Sequence, residues 1–483
     1  MRLSELAAGF QIVPAGTDAE ITSVTEDSRR VEPGALFVAI TGTTLDGHAY
    51  VLDAIERGAA AVVVERDGCV PDGFPHVRVT SSRIALADLA SRFYRKPGHA
   101  LDLIGFTGTF GKTSTSEIVR ALLDAAGART GVLGSLGARY GPFRESSLGL
   151  TTPTPVELHG LLRRLLDAGA NTVVLEVTSH ALRLDRVRAL TFAGGLLAAI
   201  MPGEHTDFHR SYEEYVGAKR LFLSYLSPDA VLAYDADNRA ARHLAREATV
   251  ARLSGFSLEG RVADLRFSDV VVDARGATFT VSGEPLGVPR GERLYSALLG
   301  RGHLRNVALA LAYAFAVGVR ASAAREVLGA LRPLRRRMER YEVAGRIVLD
   351  DTAAHPDSFG AAFEVADMLP HQNLVVVYAL RGNRGPDINR QNARVLGDLV
   401  ALHGATAFIV TAASDCTATK DLATREEIDA TRQALTARGT RFTWHDELRP
   451  AIQEAAGRSR AGDLLLLIGA QAMDKGREML EDT

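Results

Sequence analysis

The chain has 483 residues, enough for about three domains of ordinary size. Its composition is 46% hydrophobic and 24% charged, which suits folded domains with cores of their own and excludes a disordered or collagen-like chain. A net charge of -2 gives no global field for nucleic acid, so no nucleic-acid partner is expected and any anionic ligand must be held by a local site.

Two cysteines, Cys69 and Cys416, stand far apart and form neither a disulfide framework nor a metal-ligand spacing. The opening residues lack a basic segment followed by a long apolar run. Apolar stretches such as 464–468 are strand-sized. A cytoplasmic protein without a membrane partner is expected, and no fixed-period repeat is visible.

In chain order, residues 1–98 contain short strand patterns at 35–40, 60–64 and 76–79 and a helix pattern at 82–94, ending at the break Lys96-Pro97-Gly98. A second block, 99–332, opens with a buried strand that runs into a glycine-rich turn, followed by a helix pattern at 114–126. The β-branched run 172–177 reads as a parallel strand covered on both faces, with further strands at 196–200 and 230–233. Alternating strands and helices imply a doubly wound α/β sheet. Near 262–279 partial period-two alternation suggests a small antiparallel insert. The third block, 333–483, has strands at 346–349, 374–378, 407–411 and 464–468 with helices between them, a second Rossmann-like α/β unit.

The turn reads Gly105-Phe106-Thr107-Gly108-Thr109-Phe110-Gly111-Lys112-Thr113-Ser114. Its glycines let backbone N–H groups face a phosphate, and the following helix adds positive potential at the same point. Lys112 can reach the β- and γ-phosphates, and Thr113 can place its hydroxyl on Mg²⁺. The strict Walker spacing is broken, because Phe106 stands where the leading glycine belongs. The competing reading is a glycine-rich loop with a solvated lysine.

The loop resembles that of the Mur ligases, G-x-T-G-T-N-G-K-T, with Phe110 in place of the usual Asn. The likeness extends over nearly the whole chain and is greatest to MurE-type ligases, which add the third peptide residue to a UDP-N-acetylmuramoyl dipeptide. It implies three domains: a UDP-substrate domain (1–98), an ATP-binding P-loop domain (99–332) and an amino-acid-acceptor domain (333–483). Gly108, Thr109, Gly111, Lys112, Thr113 and Ser114 would bind nucleotide. Asp27-Ser28-Arg29 matches the segment beside the uridine, making Ser28 and Arg29 substrate contacts; a surface ion pair between Asp27 and Arg29 is the simpler alternative. Thr151-Thr152-Pro153 matches a motif that contacts the UDP-sugar-peptide, and is also a plausible start to a helix.

Glu176-Val177-Thr178-Ser179-His180 follows the buried strand. The resemblance makes Glu176 a Mg²⁺ ligand and gives Ser179 and Arg186 to the UDP-substrate; the alternative for Glu176 is a capping carboxylate at a strand end. Glu204-His205-Thr206-Asp207-Phe208-His209 matches D-H-L-D-Y-H, so His205 would serve a second Mg²⁺. Lys219 matches a lysine that is carbamylated in the family, where the carbamate is an anion able to hold Mg²⁺. Gly302-His303-Leu304-Arg305-Asn306 matches the domain-closing segment, with Asn306 on the adenine and His303 replacing an Asn.

In the third block Arg337-Met338-Glu339 matches G-R-M-E, although Arg336 replaces the glycine, and Arg337 would approach the ATP phosphates. Asp351 aligns as a nucleotide contact, but the imidazole of the following motif has moved by one residue, to His355. Arg381-Gly382-Asn383-Arg384-Gly385 stands in place of G-G-D-R-D. The two segments that read the incoming diamino acid are replaced, by Ala413-Ser414-Asp415-Cys416-Thr417 and by Gly469-Ala470-Gln471-Ala472-Met473-Asp474. Asp415, Gln471 and Asp474 are candidates for a replacement acceptor pocket; the alternative is a solvent-facing loop.

The resemblance thus implies a monomeric, ATP- and Mg²⁺-dependent ligase that joins an amino acid to a UDP-N-acetylmuramoyl-peptide, or a related carboxylate, through an acyl-phosphate. One form of this expectation is peptidoglycan synthesis with an unusual third residue such as lysine or ornithine. Another is a diverged ligase of a specialised pathway with a different acceptor amine. A rival of another class, a non-catalytic nucleotide-binding paralogue, is motivated by Phe110 and His355 and opposed by the intact Lys112, Thr113, Glu176, His205 and Lys219 set.

Overall fold

The computed structural model describes residues 1–42, 45–146, 149–202 and 208–483. The chain is α/β, with its strands arranged in three sheets. By contact density it divides into two compact units: Met1–Arg266 with Ser282–Arg290 and Ala308–Ala324, and Phe267–Val281 with Gly291–Val307 and Arg325–Thr483.

The first unit opens with β1 (Gln11–Val13), β2 (Ser23–Thr25), β3 (Ala35–Val38), β4 (Ala61–Val64) and β5 (His76–Arg78), ordered β1-β5-β4-β3-β2. Only β1 is antiparallel to its neighbour. The central strands Ala35-Leu36-Phe37-Val38 and Ala61-Val62-Val63-Val64 are buried throughout, as continuous apolar runs in a sheet covered on both faces must be.

The large sheet begins with β6 (Asp102–Thr107), β7 (Thr130–Gly134), β8 (Gly137–Tyr140), β9 (Phe143–Glu145), β10 (Thr172–Glu176), β11 (Phe192–Leu197), β12 (Leu226–Asp235) and β13 (Arg252–Ser257). Their order is β13-β12-β11-β6-β10-β7-β8-β9. The strands from β13 to β7 are parallel, whereas β8 and β9 add an antiparallel edge that the sequence patterns do not announce. The helix Pro155–Asp167 buries Leu158, Leu161, Leu162 and Leu165, a single 3.6-period stripe. Each such leucine contributes about 1.5–3 kcal/mol by leaving water. These leucines join Leu103, Leu133, Val173, Leu175 and Leu197 in one core.

Beyond Gly260 the chain forms β14 (Leu265–Asp273), β15 (Gly276–Gly283) and β16 (Val288–Ser296). Only two residues, Ala274 and Arg275, join β14 to β15, a connection that requires an antiparallel pair. Phe267 and Phe279 pack across this hairpin with ring centroids 5.2 Å apart.

The second unit contains β17 (Glu339–Val343), β18 (Arg346–Asp351), β19 (Leu374–Ala379), β20 (Ala407–Thr411), β21 (Thr443–His445) and β22 (Leu464–Ile468). They are ordered β17-β18-β22-β19-β20-β21, and all but β17 run parallel. The register sets Asp351 beside Ile468, Ile468 beside Tyr378, and Ala379 beside Thr411. The loops after β18, β22, β19 and β20 therefore emerge side by side along one carboxyl edge, where open α/β sheets bind ligands.

Candidate active site

Parallel pairing fixes the site in the first unit. Glu176, the last residue of β10, lies beside Phe106 of β6, so its carboxylate stands next to the glycine loop that follows β6. The loop turns into the helix Lys112–Ala125 through Gly111, whose φ of +78° is one that residues with a Cβ rarely adopt. Thr113 Oγ1 donates to Glu176 Oε2 at 3.2 Å. Glu176 is 1% exposed, and it also accepts from the backbone N–H and the hydroxyl of Ser135, both at 3.2 Å. Gly134 makes room for this carboxylate, because a Cβ there would lie 2.1 Å from Oε1.

Lys112 curls back over the loop, with Nζ 3.0 Å from Gly108 O and 3.1 Å from Thr109 O. Lys219 arrives from the helix Tyr212–Arg220, is 1% exposed, and donates to the same Gly108 O at 2.9 Å. Its ammonium lies 4.7 Å from the centre of the Tyr215 ring. The Tyr215 hydroxyl is 3.1 Å from Thr109 Oγ1, which accepts from Met201 N at 2.9 Å. Thr109 N–H itself bonds Ala199 O, so the loop is tied to the end of β11. Ser114 is buried in the first turn of the helix.

Around this centre, Thr152 Oγ1 donates to Glu176 O at 2.8 Å, and Thr151 Oγ1 lies 3.0 Å from Ser135 Oγ. The helix behind this motif starts only at Pro155, so Thr152 serves the network rather than a helix cap. Arg186 Nη1 donates to Thr152 O at 2.9 Å. Burial, and secondarily Arg83, lower the pKa of Arg186, a concentration of positive charge suited to an anionic substrate. Ser179 Oγ is 3.0 Å from Nε2 of the buried His209, and the His180 ring stacks on Phe208 at 4.1 Å. Ser28 is buried in the turn Ser28–Arg30, whereas Arg29 pairs with Asp27 at 2.8 Å and its side chain is 83% exposed. His205 lies outside the described residues.

Thr113, Glu176, Lys112 and Lys219 thus converge, as do Thr151, Thr152, Ser179 and Arg186 around them. Ser135, which stands in no sequence motif, completes these contacts, as do Thr178 and Tyr215, which stand in matched segments without a role assigned to them. The oxygen donors Thr113 Oγ1 and the Glu176 carboxylate suit Mg²⁺, which is held through few protein ligands together with phosphate oxygens. No cluster of three His, Cys, Asp or Glu side chains able to hold a metal occurs among the described residues.

In the second unit, Asp351 Oδ2 accepts from Met338 N at 2.7 Å, and Arg337 hydrogen-bonds Thr352 Oγ1. Burial raises the pKa of Asp351 and Arg337 opposes the shift, so the two nucleotide candidates are neighbours. Asn306 is half-buried on the helix Gly300–Ala316. His303 is buried, with Nδ1 3.0 Å from Leu299 O, and burial lowers its pKa to about 4. His355 caps the helix Pro356–Met368 through Asp357 N, which accounts locally for the displaced imidazole. Asp415 accepts from Leu448 N and Arg449 N at 2.8 and 3.3 Å, Asp474 pairs with Arg336, and Gln471 is exposed. Cys416 Sγ lies 3.6 Å from Ala472 O, so the loops 413–417 and 469–474 touch.

A strand, a glycine loop, a helix N-terminus, a lysine and a buried carboxylate paired with the loop threonine define a P-loop nucleotide-binding enzyme. Residues 20–94 match the Mur ligase family catalytic domain, residues 106–314 the Mur ligase middle domain, and residues 336–471 the Mur ligase glutamate ligase domain. A UDP-N-acetylmuramoyl-L-alanyl-D-glutamate–2,6-diaminopimelate ligase from Chlorobium phaeobacteroides is 33% identical over 100% of this chain and 93% of its own. One of the same name from Bacillus licheniformis is 34% identical over 83% of this chain and 82% of its own. Among solved structures, MurF from Acinetobacter baumannii superposes with a TM-score of 0.70 at 19% identity, covering 99% of this chain and 98% of that one. MurF from Thermotoga maritima in complex with ADP gives 0.65 at 21% identity, covering 95% and 97%. The chain belongs to the Mur ligase family and is an ATP-dependent amide-forming ligase that uses ATP and Mg²⁺.

Proposed function

We propose that this ligase joins an amino acid to the free carboxylate of a UDP-N-acetylmuramoyl peptide by way of an acyl-phosphate. The observation that carries the reading is the Thr113–Glu176 contact beside a loop whose Gly108 carbonyl receives both Lys112 and Lys219. Loop N–H groups and the helix dipole would hold the ATP phosphates, and Lys112 would stabilise the phosphoryl group in transfer. Bound Mg²⁺, held by Thr113 and Glu176, would neutralise phosphate charge. The burial of Lys219 meets the shielding that carbamate formation needs. Ser28, Thr151, Thr152, Ser179 and Arg186 would bind the UDP-substrate, and Asn306, Arg337 and Asp351 the nucleotide.

The substrate carboxylate attacks the γ-phosphorus and ADP leaves. The amine then attacks the acyl carbon, and phosphate departs with one former carboxylate oxygen. Water would hydrolyse the acyl-phosphate, so it must be excluded until the amine arrives. The same reading divides the chain at 1–98, 99–332 and 333–483, supported by the three sheets and the three matched segments. Its substrates point to the cytoplasm and to cell-wall peptide synthesis, while the altered acceptor-side motifs favour a specialised version of it. No helix of the described residues is long and apolar enough to cross a membrane.

The test is ADP release from ATP and Mg²⁺ with UDP-N-acetylmuramoyl-L-alanyl-D-glutamate and a panel of amino acids. ADP together with a new amide-bearing UDP-peptide is expected for at least one amine. No ADP with any amine would reject the reading.

A further inference from the structure

Two loops at the carboxyl edge of the second unit's parallel sheet carry the acceptor candidates: 413–417 after β20 and 469–474 after β22. The only acidic side chains in these loops are Asp415 and Asp474. Asp415 gives both its oxygens to the first N–H groups of the helix Leu448–Arg458, at 2.8 and 3.3 Å. Asp474 is bound by the guanidinium of Arg336.

Arg336 is an unusual residue. Its φ is +58°, a region that branched and bulky side chains seldom occupy, and its side chain is only 4% exposed. From there it bonds Asp350 at 3.0 Å and Ala470 O at 2.7 Å, and it also reaches Gly469 O. It thereby ties the end of β18 to the loop after β22 and supplies a fixed cation directly beneath that loop. The other polar side chains within the two loops are neutral, namely Ser414, Cys416, Thr417 and Gln471, and Arg335 donates to the backbone carbonyl of Asp474 at 3.0 Å. The next residue in the chain, Lys475, adds a further positive charge close to Cys416.

An enzyme that reads a side-chain ammonium does so with a carboxylate free to receive it, and rejects analogues that leave such a group unpaired. Here Asp415 gives both oxygens to a helix N-terminus, and Asp474, whose side chain is 62% exposed, has Oδ1 held by the buried Arg336, so any cation approaching it meets that guanidinium as well. We infer that the acceptor is an α-amino acid whose side chain bears no ammonium group, and that Arg336 enforces this by holding Asp474. This rests on the ligase reading and on these two loops lining the acceptor site. It separates this chain from the relatives named for 2,6-diaminopimelate, an acceptor with a second amine.

The experiment compares glycine, alanine, serine, glutamate, lysine, ornithine and meso-diaminopimelate as acceptors, using full-length protein, ATP, Mg²⁺ and the UDP-linked dipeptide. ADP and amide product are both measured. An acceptor without a side-chain ammonium should exceed the three diamino acids by about tenfold or more in kcat/KM. A diamino acid that equals or exceeds it would overturn the inference while leaving the ligase reading intact. No ADP with any acceptor would reject both.

Arg336→Gly suits the +58° backbone and releases Asp474, so it should move the preference towards lysine and ornithine by several fold, whereas Arg336→Lys should keep the wild-type order. An unchanged order in a folded Arg336→Gly protein would remove Arg336 from the argument. Should that variant not fold, the wild-type panel decides the acceptor class by itself.

Discussion

The ammonium groups of Lys112 and Lys219 both donate to the carbonyl oxygen of Gly108, at 3.0 and 2.9 Å. Two lysines 107 residues apart, 219 minus 112, meet on one atom of the glycine loop. One begins the helix that follows the loop, and the other comes from the helix Tyr212–Arg220. Their equal reach does not make them interchangeable, because Lys112 is partly open to a ligand while Lys219 is enclosed.

Lys112→Ala should lower kcat by about 10²–10³-fold, the typical effect of deleting one donor that stabilises transition-state charge. Circular dichroism should remain that of the wild type, since the side chain sits at the surface of the first helical turn. Steady-state ADP release is the measurement, and unchanged turnover would take the loop out of the mechanism.

Lys219→Ala should also lose activity, but for a different reason. If a carbamate on Lys219 supplies the needed anion, a short carboxylic acid such as acetate should restore part of the activity to this variant and none to Lys112→Ala. Full activity in Lys219→Ala without added acid would count against the carbamate.

Glu176→Gln should raise the Mg²⁺ concentration for half-maximal activity by at least about tenfold. Ser135→Ala should raise it by a smaller factor, because Ser135 only orients the carboxylate. A Mg²⁺ titration of ADP release distinguishes the two. Equal effects would mean that Glu176 acts mainly through the hydrogen bonds it accepts from Ser135.

Asp350 should give stability an unusual pH dependence. Burial raises its pKa from 3.8 to about 6, partly offset by Arg336. The folded protein holds this proton more tightly than the unfolded chain does. Its contribution to stability is therefore intact below about pH 4 and is lost as the pH rises through about 6. Measured by chemical denaturation, wild type should lose roughly 2–3 kcal/mol relative to Asp350→Asn between those limits. A difference that grows in favour of wild type over that window would contradict the assignment.

The sequence announced what local chemistry dictates. The glycine loop, Lys112 and Thr113 are consecutive, and a carboxylate at the end of an apolar run is readable at Glu176. The strands 407–411 and 464–468 fall where their apolar runs stand, because both are buried throughout or nearly so. Partners brought together by folding were not readable. Ser135 lies 41 residues from Glu176 and carries no motif. The role of Asp415 as a helix cap depends on a helix that begins 33 residues later. Where the family motif has a glycine, this chain has Arg336, at a backbone position whose φ is positive. Only the fold shows that the new side chain turns inward to Asp350 and Asp474. The displaced His355 looked like damage to a nucleotide motif, yet in the folded chain it caps a helix.

The most direct test follows an oxygen atom. UDP-N-acetylmuramoyl-L-alanyl-D-glutamate labelled with ¹⁸O in its reacting carboxylate is turned over with ATP, Mg²⁺ and the preferred amine, and the released phosphate is analysed by mass spectrometry. Passage through an acyl-phosphate predicts one ¹⁸O atom in each phosphate from doubly labelled carboxylate. Unlabelled phosphate, formed alongside ADP, would mean that water rather than the substrate carboxylate takes the phosphoryl group.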